Sequence, residues 1–269
     1  MSLDNKVLVS ILTPSYNAEK YLAHTLESVI AQTFQAWELL VVDDCSPDNS
    51  NALIESYVAK DSRIKLVRLT ENSGAAVARN KAIELARGRY IAFLDSDDRW
   101  LPSKLEKQIR FMQDNDVAFS YTAYEKRDGQ GNACGVVGVP SRVSYTDLLK
   151  VCSIGCLTAM YDTAKLGKVY MPLIRKRQDL GLWLRILKQI PYAYGVNEVL
   201  AQYQVRSDSI SADKRVAAKY TWRLYRDIEK LCLVRAGYYF SHYAFNGFLR
   251  TKLPGLARRL GILNDCRRG

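Results

Sequence analysis

The sequence has few of the residues that build metal fingers and disulfide frameworks. Only two histidines occur among its 269 residues, and none of the six cysteines forms a C-x-x-C pair. Zinc ribbons, zinc fingers and disulfide-stapled folds depend on such pairs, so these classes are poorly supported. We expect the cysteines to be reduced, several of them serving as small core residues.

Long hydrophobic runs are also missing. No segment approaches the ~18 consecutive apolar residues of a membrane-spanning helix. The polar residues 1–6 lead directly into a strand pattern, which is not the pattern of a secretory signal peptide. We therefore expect a cytoplasmic protein. The phosphate-binding motifs G-x-x-x-x-G-K-S/T and G-x-G-x-x-G are absent too, which argues against P-loop and dinucleotide-binding folds.

What the chain does contain is a regular alternation of strand and helix patterns. A composition of 48% hydrophobic and 25% charged residues is typical of a globular protein. Alternation at this spacing predicts a parallel sheet with right-handed crossovers. Strands are predicted at 7–13, 37–42, 64–69, 90–94, 117–123, 156–161 and 199–205. Helices are predicted near 18–30, 50–59, 75–86, 103–114 and 144–150, and the segment 178–187 is predicted to begin another. Gly88 is predicted to be the C-cap of the third helix, and the glycine-rich stretch 129–138 to form an excursion or a hairpin.

Polar clusters follow the first four predicted strands. They lie at 14–17, 43–46, 71–74 and 95–98. Because ligands of open α/β sheets bind beyond the carboxyl ends of the strands, four clusters at one edge predict a binding site.

The last cluster places three carboxylates within four residues, at 95, 97 and 98. Alone it could be a solvated acidic loop that also caps the next helix. Like charges repel, however, and Mg²⁺ or Mn²⁺ prefers one or two carboxylates together with the phosphates of a substrate. Carboxylates also accept hydrogen bonds from ribose hydroxyls and from a base N–H. The rim therefore suggests a metal-bound nucleotide diphosphate that carries a sugar.

Taken in order, the motifs resemble those of the family-2 inverting glycosyltransferases that build bacterial surface polysaccharides of the O-antigen or teichuronic-acid type. The resemblance covers residues 7 to about 211. It is carried by the motifs at 9–17, 32–34, 37–44, 72–74, 78–80, 95–98, 178–183 and 203–211.

This resemblance implies an α/β GT-A fold, with a mostly parallel central sheet flanked by helices. The catalytic domain would span 1–212, its nucleotide-binding half being about 1–100 and its acceptor-binding half about 101–212. A basic, aromatic, helical C-terminal region, 213–269, would follow.

The resemblance also implies roles for individual residues. Pro14 and Tyr16 would pack beside the base, and Asp44 would accept the N3–H of a uracil-type base. Arg79 would reach the phosphate or ribose of the nucleotide, and Asp95 would hold the ribose.

Three further residues would act in the transfer step. Asp97 would ligate Mn²⁺ or Mg²⁺, and Arg206 would stabilise charge on the leaving diphosphate. Asp179 would be the catalytic base that deprotonates the acceptor. Relatives often have Glu-Asp at this point, where this chain has Gln178 and Asp179.

Each assignment competes with a purely structural interpretation. Tyr16 could be a strand-end aromatic, and Asp43 or Asp44 a turn residue. Arg79 could form a salt bridge on its helix, and Asp179 could be a helix N-cap.

The net charge of +11 is concentrated at the C-terminal end of the chain. Residues 214–269 hold thirteen Lys and Arg against three Asp and Glu, interspersed with aromatic residues. Such a segment can lie in the headgroup layer of an anionic membrane. Alternatively its aromatic side chains pack on the catalytic domain while the charges face water.

We therefore predict transfer of a hexose, most simply from a UDP-sugar, to a glycan acceptor on polyprenyl diphosphate, at the inner face of the plasma membrane. A nucleotidyltransferase would share the strand-end carboxylates but needs a Gly-rich basic loop, which 14–17 does not provide. A nucleic-acid-binding protein that uses the basic region would leave the acidic rim unexplained, so we expect no nucleic acid partner.

Overall fold

The computed structural model describes residues 8–205, 214–264 and 266. One sheet contains all the strands of these residues: β1 Val9–Ser15, β2 Trp37–Asp43, β3 Ile64–Arg68, β4 Tyr90–Phe93, β5 Arg99–Trp100, β6 Phe119–Arg127, β7 Ala133–Val137, β8 Arg142–Val143, β9 Met160–Asp162 and β10 Ala193–Gln204.

Helices flank the sheet and continue beyond its last strand. The α-helices of the described residues are α1 Glu19–Ile30, α2 Ser50–Val58, α3 Ala75–Leu85, α4 Lys104–Asp114, α5 Tyr145–Lys150, α6 Thr163–Leu166, α7 Gln178–Leu187, α8 Lys214–Arg223, α9 Leu233–Lys252 and α10 Pro254–Arg259. A 3₁₀ turn at Cys156–Thr158 and a π-helical turn at Leu224–Ile228 complete them. None of the helices in these residues is both long and apolar enough to cross a membrane.

The strand order is β3-β2-β1-β4-β9-β6-β10-β5, with β7 paired to β6 and β8 to β10. The predicted parallel pairing is confirmed for β1–β4. Beyond β4 the sheet is mixed, because β9 runs antiparallel to both β4 and β6, and β5 antiparallel to β10. The glycine-rich stretch forms a hairpin, in which β6 and β7 pair antiparallel. The link between the two strands is too short for parallel pairing.

The hydrophobic core lies on both faces of the sheet. Leu39 and Val41 of β2 belong to one buried cluster, whereas Leu40 and Val42 belong to the other. Successive strand side chains point to opposite faces, so the continuous apolar run of β2 is what a sheet covered on both sides requires.

The segment after α3 differs from the sequence prediction. The helix ends with an extended residue, Ala86, as its C-cap, so the prediction that Gly88 is the C-cap was wrong. Gly88 instead lies against β1, where a Cβ atom would come within 2.5 Å of the Ser10 nitrogen and 2.7 Å of the Val9 carbonyl carbon. Its backbone N–H donates to Ser10 Oγ (2.8 Å). Close backbone approach, rather than helix termination, is therefore what requires glycine here.

Two other predicted elements have different bounds. The strand predicted at 156–161 begins as the 3₁₀ turn, and only Met160–Asp162 pairs with its neighbours. The strand predicted at 199–205 begins six residues earlier, at Ala193. Its less regular, half-buried pattern gave a weaker periodic signal than the buried strands of the first half.

The helices after residue 213 share the core of the preceding chain. Tyr225, Ala236 and Tyr239 belong to the same buried cluster as Trp183 of α7. Trp222 and Phe240 pack against that cluster. The aromatic packing proposed as one alternative for this region therefore occurs for these side chains.

Candidate active site

The topology brings the predicted polar clusters to one edge of the sheet. β1 pairs in parallel with both β2 and β4, so their carboxyl ends, and the segments 14–17, 43–46 and 95–98 that follow, are neighbours. The fourth cluster joins them through Asp44, whose carboxylate accepts the backbone N–H groups of Ser73 (2.7 Å) and Gly74 (2.8 Å).

The adjacent residues Asp43 and Asp44 have different surroundings. Asp43 is buried and accepts hydrogen bonds from the Ser46 backbone (2.9 Å) and from Asn51 Nδ2 (3.0 Å), which makes it a turn residue. Asp44 is also buried, and its bonds to the 73–74 backbone fix that loop at the rim. Each Asp44 oxygen retains a second lone pair that can accept a base N–H.

The end of β1 offers an apolar and aromatic surface. Pro14 is half-buried opposite Val42 of β2. Tyr16, two residues further, is 51% exposed, so its ring is accessible to a flat ligand. The positions of both residues fit the predicted contact with a base.

Arg79 of α3 is buried and forms an ion pair with Asp95, at the end of β4. Burial by itself lowers the pKa of Arg79, but the Asp95 carboxylate more than offsets this, and the pKa is raised. The salt-bridge interpretation of Arg79 is thus correct, and its partner is itself one of the predicted site residues. Nε of Arg79 is buried without a hydrogen-bond partner in the described residues.

The acidic turn at 95–98 is held from below by α1. Thr25 Oγ1 donates to the backbone carbonyls of Ser96 (3.0 Å) and Asp98 (2.8 Å). Asp98 is only 1% exposed, and its Oδ1 accepts the backbone N–H of Gln204 at the end of β10 (2.9 Å). Asp98 therefore ties the acidic turn to β10, a long-range contact that the sequence did not reveal.

The same turn has the electrostatics expected beside a cation site. Oδ2 of Asp98 is buried and lacks a hydrogen-bond partner in the described residues. Burial raises the pKa of Asp98 well above its usual value, and the charges of Asp97 and Asp95 raise it further. The described residues contain no cluster of three or more side chains able to hold a metal alone. A half-buried Asp97 in this turn fits a divalent cation shared with substrate phosphates.

Asp179 is the second residue of α7. Arg177, in the left-handed conformation (φ 65°), is the N-cap, so the N-cap interpretation of Asp179 was wrong. The Asp179 carboxylate is partly exposed and forms no hydrogen bond or ion pair within 8–205, 214–264 and 266. The carboxylate thus lies in the first turn of the helix, at the positive end of its dipole.

Two half-buried cysteines, Cys152 and Cys156, lie near the predicted site residues, and the sequence did not identify them. Burial raises the pKa of Cys156 well above its usual value, and the nearby carboxylates of Asp95 and Asp179 raise it further. The charge of Asp179 also acts on Arg79. The predicted base and the Arg79–Asp95 pair are therefore within electrostatic range of one another, although about 80 to 100 residues separate them in sequence.

One predicted residue falls outside this description. Arg206 lies outside the described residues, together with most of the motif at 203–211. Gln204, at the start of that motif, is the residue bound by Asp98.

Comparison with known sequences identifies the family. Residues 10–160 match the family described as glycosyl transferase family 2. TuaG of Bacillus subtilis (strain 168), whose name places it in teichuronic acid biosynthesis, is 49% identical over 242 residues, covering 90% of this chain and 96% of TuaG. WfgD of Escherichia coli, named as a UDP-Glc:alpha-D-GlcNAc-diphosphoundecaprenol beta-1,3-glucosyltransferase, is 41% identical over 241 residues, covering 89% and 93% of the two chains.

Solved structures show the same fold. TarS 1–349 of S. aureus in complex with UDP-GlcNAc superposes with a TM-score of 0.71, covering 95% of this chain and 79% of that one at 21% identity. The mannosyltransferase PcManGT of Pyrobaculum calidifontis, in complex with GDP-Man and Mn²⁺, gives 0.65, with 94% and 78% covered at 16% identity. Neither the family match nor these relatives support a nucleotidyltransferase or a nucleic-acid-binding protein. The protein has the GT-A-like fold predicted from its motifs and belongs to glycosyl transferase family 2, which makes it a glycosyltransferase.

Proposed function

We propose that the protein is an inverting glycosyltransferase that moves a hexose from a UDP-sugar to a lipid-linked glycan acceptor, in the synthesis of a bacterial surface polysaccharide. The observation that carries this proposal is the carboxylate of Asp179, which forms no hydrogen bond or ion pair in the described residues and whose charge acts on Arg79 of the Arg79–Asp95 pair. The names of TuaG and WfgD support the pathway and the acceptor class.

The donor would bind along the carboxyl edge of β1, β2 and β4. The exposed ring of Tyr16 and the half-buried Pro14 provide a surface for the base, and Asp44 offers it a hydrogen-bond acceptor. Asp95, fixed by its ion pair with Arg79, would accept the ribose hydroxyls. This arrangement leaves the sugar and the diphosphate beside the acidic turn.

Charge develops on the leaving group as the glycosidic bond breaks. Mn²⁺ or Mg²⁺, held by Asp97 and the donor phosphates, would supply Lewis-acid stabilisation of that charge. Arg206 is proposed to add a second positive charge.

Asp179 would accept the proton of an acceptor hydroxyl placed behind the anomeric carbon. The hydroxyl oxygen then forms the new bond to that carbon while the bond to UDP breaks, and UDP leaves with the electron pair. A single displacement of this kind inverts the anomeric configuration.

A panel of nucleotide sugars tests the proposed function. Each donor is incubated with Mn²⁺ and N-acetylglucosamine on a lipid diphosphate, and product configuration is read by NMR. We expect transfer from a UDP-hexose with inversion. Absence of transfer from every UDP-hexose, or retention of configuration, would contradict the proposal.

The C-terminal helices supply a surface that fits a membrane. Eight of the fourteen large hydrophobic side chains exposed in the described residues lie in 233–260. On α9, Val234, Tyr238, Phe245 and Phe248 are exposed at helical spacing and so share one face, the outer face. An apolar helix face of this kind is typical of helices that lie in the membrane interface.

Basic residues accompany this face. Arg235, Lys252, Arg258 and Arg259 are all exposed. Because anionic headgroups attract such residues, we propose that the outer face binds the cytoplasmic leaflet of the plasma membrane and brings the site to a lipid-linked acceptor.

Co-sedimentation with anionic liposomes checks the membrane proposal. Because Tyr225, Ala236 and Tyr239 belong to the core, truncation at 213 would expose it, and point variants are the better probe. We expect the double variant Phe245→Ser/Phe248→Ser to lose most of its binding. The matched variant Ile30→Ser/Leu85→Ser, at exposed positions outside the C-terminal helices, should bind normally. Equal binding by both double variants would exclude the outer face as the docking surface.

A further inference from the structure

Helix α9 has an inner face as well as the apolar outer one. Tyr239, Tyr243, Asn246 and Arg250 repeat at intervals of four, three and four residues, so they share one face. Tyr239 is buried, and Asn246 Nδ2 donates to the carbonyl of Lys150 at the end of α5 (3.2 Å). The face that carries Arg250 is therefore turned towards the rest of the protein.

Arg177 meets this face from the other side. Its Nη2 donates to Tyr243 Oη (2.7 Å), and its guanidinium carbon lies 5.5 Å from the centroid of the Tyr243 ring. The backbone of Arg177 is left-handed, with φ 65°. Such a conformation is uncommon for a residue with a side chain and is often found at functional sites. Arg177 precedes Asp179 by only two residues, so α9 contacts the segment that carries the proposed base.

The charges of both arginines and of the base act on one half-buried cysteine. The pKa of Cys152 is raised to about 11, chiefly by burial; Asp179 contributes to this rise, while Arg177 and Arg250 oppose it. These three charged groups are therefore within electrostatic range of the same side chain.

The charge of Arg250 also reaches the donor side of the site. The pKa of Tyr124 is raised to about 12, chiefly by burial; the charge of Arg250 opposes this rise and that of Asp98 adds to it. Tyr124 is thus within electrostatic range of both Arg250 and Asp98.

Neither arginine is neutralised by an ion pair. In the part of the chain that the structure describes, no carboxylate lies within ion-pair distance of Arg177 or Arg250, although both side chains are partly buried. A partly buried, unpaired guanidinium is unfavourable until an anion reaches it. The planar fork of arginine matches phosphate oxygens, and a pair of such forks matches a diphosphate.

We propose that Arg177 and Arg250 form the subsite that binds the diphosphate of the lipid-linked acceptor. This inference rests on the proposed function, because it takes a lipid diphosphate as the acceptor. The contact of Arg177 with Tyr243, and the position of Arg250 on the same face of α9, put this subsite beside the segment that carries the proposed base.

The proposed diphosphate subsite is consistent with the positions of the two faces of α9. The outer face would rest on the bilayer, while the inner face carries Arg250 towards Asp179. A diphosphate held on the inner face lies between the membrane, where the lipid chain is anchored, and the base, where its sugar reacts.

Two acceptor series test the subsite. N-acetylglucosamine, the acceptor sugar of the donor panel, is linked to an alkyl diphosphate in one series and directly to the same alkyl chain in the other. We expect Arg250→Gln to raise KM for the diphosphate acceptor by roughly tenfold to a hundredfold, the range for loss of a charge-assisted hydrogen bond. KM for the donor should not change, and Arg250→Lys should recover part of the loss.

Controls separate this inference from the proposed function. Arg110→Gln removes an exposed arginine of α4 and should leave both KM values unchanged. Arg177→Gln should act like Arg250→Gln; if it does not fold, Arg250→Gln decides alone. Equal KM values of the wild type for the two series, or no effect of Arg250→Gln, would overturn the subsite while transfer itself persists. Absence of transfer to either series would overturn the proposed function instead.

Discussion

Replacement of Asp179 by Asn is expected to abolish transfer while leaving donor binding intact. The amide keeps the size and shape of the carboxylate but cannot take a proton from the acceptor hydroxyl. Loss of a general base typically costs roughly 10²–10⁴-fold in rate, so kcat should fall by that amount or more. The donor contacts proposed at Tyr16, Asp44 and Asp95 do not involve this residue and should survive.

The structure makes Asp179→Asn a clean test. The carboxylate forms no hydrogen bond or ion pair with any other described residue, so the substitution breaks no such bond within 8–205, 214–264 and 266. The readouts are UDP release for kcat and calorimetry for UDP-sugar affinity. Asp114→Asn, an exposed position at the end of α4, is the matched control and should behave as wild type. If Asp179→Asn retained full turnover, the base would have to be another residue.

Asp97→Ala is expected to remove metal-dependent donor binding together with activity. Removing the proposed carboxylate ligand should release a cation otherwise shared with the donor phosphates. Because such a cation contributes several kcal/mol to charge stabilisation, kcat/KM should fall by roughly 10³-fold or more.

Binding measurements distinguish a lost metal site from a damaged fold. UDP affinity of the wild type should rise when Mn²⁺ is added, whereas that of Asp97→Ala should be the same with and without Mn²⁺. Both proteins should bind UDP alike in chelator. Asp114→Ala removes an exposed carboxylate of the same type and should retain the full response to Mn²⁺. A response of Asp97→Ala as large as that of the wild type would remove Asp97 from the metal site.

The local order of apolar and polar residues predicted secondary structure well for elements that are buried in or against a sheet covered on both faces. The runs of β1, β2 and β4 are nearly continuous in apolar residues, and their predicted bounds differ from the observed ones by two residues at most. The predicted start of α7, at Gln178, was reproduced to the residue. These elements could be predicted because burial fixes which of their side chains must be apolar, and that pattern is contained in a few neighbouring residues.

Predictions failed where distant contacts override local preference. Gly88 follows a helix and has the residue type of a C-cap, but the nearness of Val9 and Ser10 is what excludes a side chain there. The apolar run at 156–161 has the composition of a strand, yet its first half is a 3₁₀ turn. Neither the close contact at Gly88 nor the 3₁₀ turn is determined by the residues adjacent to them in sequence.

By itself the sequence determined the α/β class, the edge of the sheet that carries the polar clusters, and the glycosyltransferase family. The tertiary structure decided which of those polar residues meet: Arg79 pairs with Asp95, Asp98 holds the backbone of Gln204, and Arg177 contacts Tyr243. Periodic burial and strand-end chemistry act over a few residues and can be read along the chain. Ion pairs and hydrogen bonds between distant segments depend on how helices and strands pack, which only the folded protein defines.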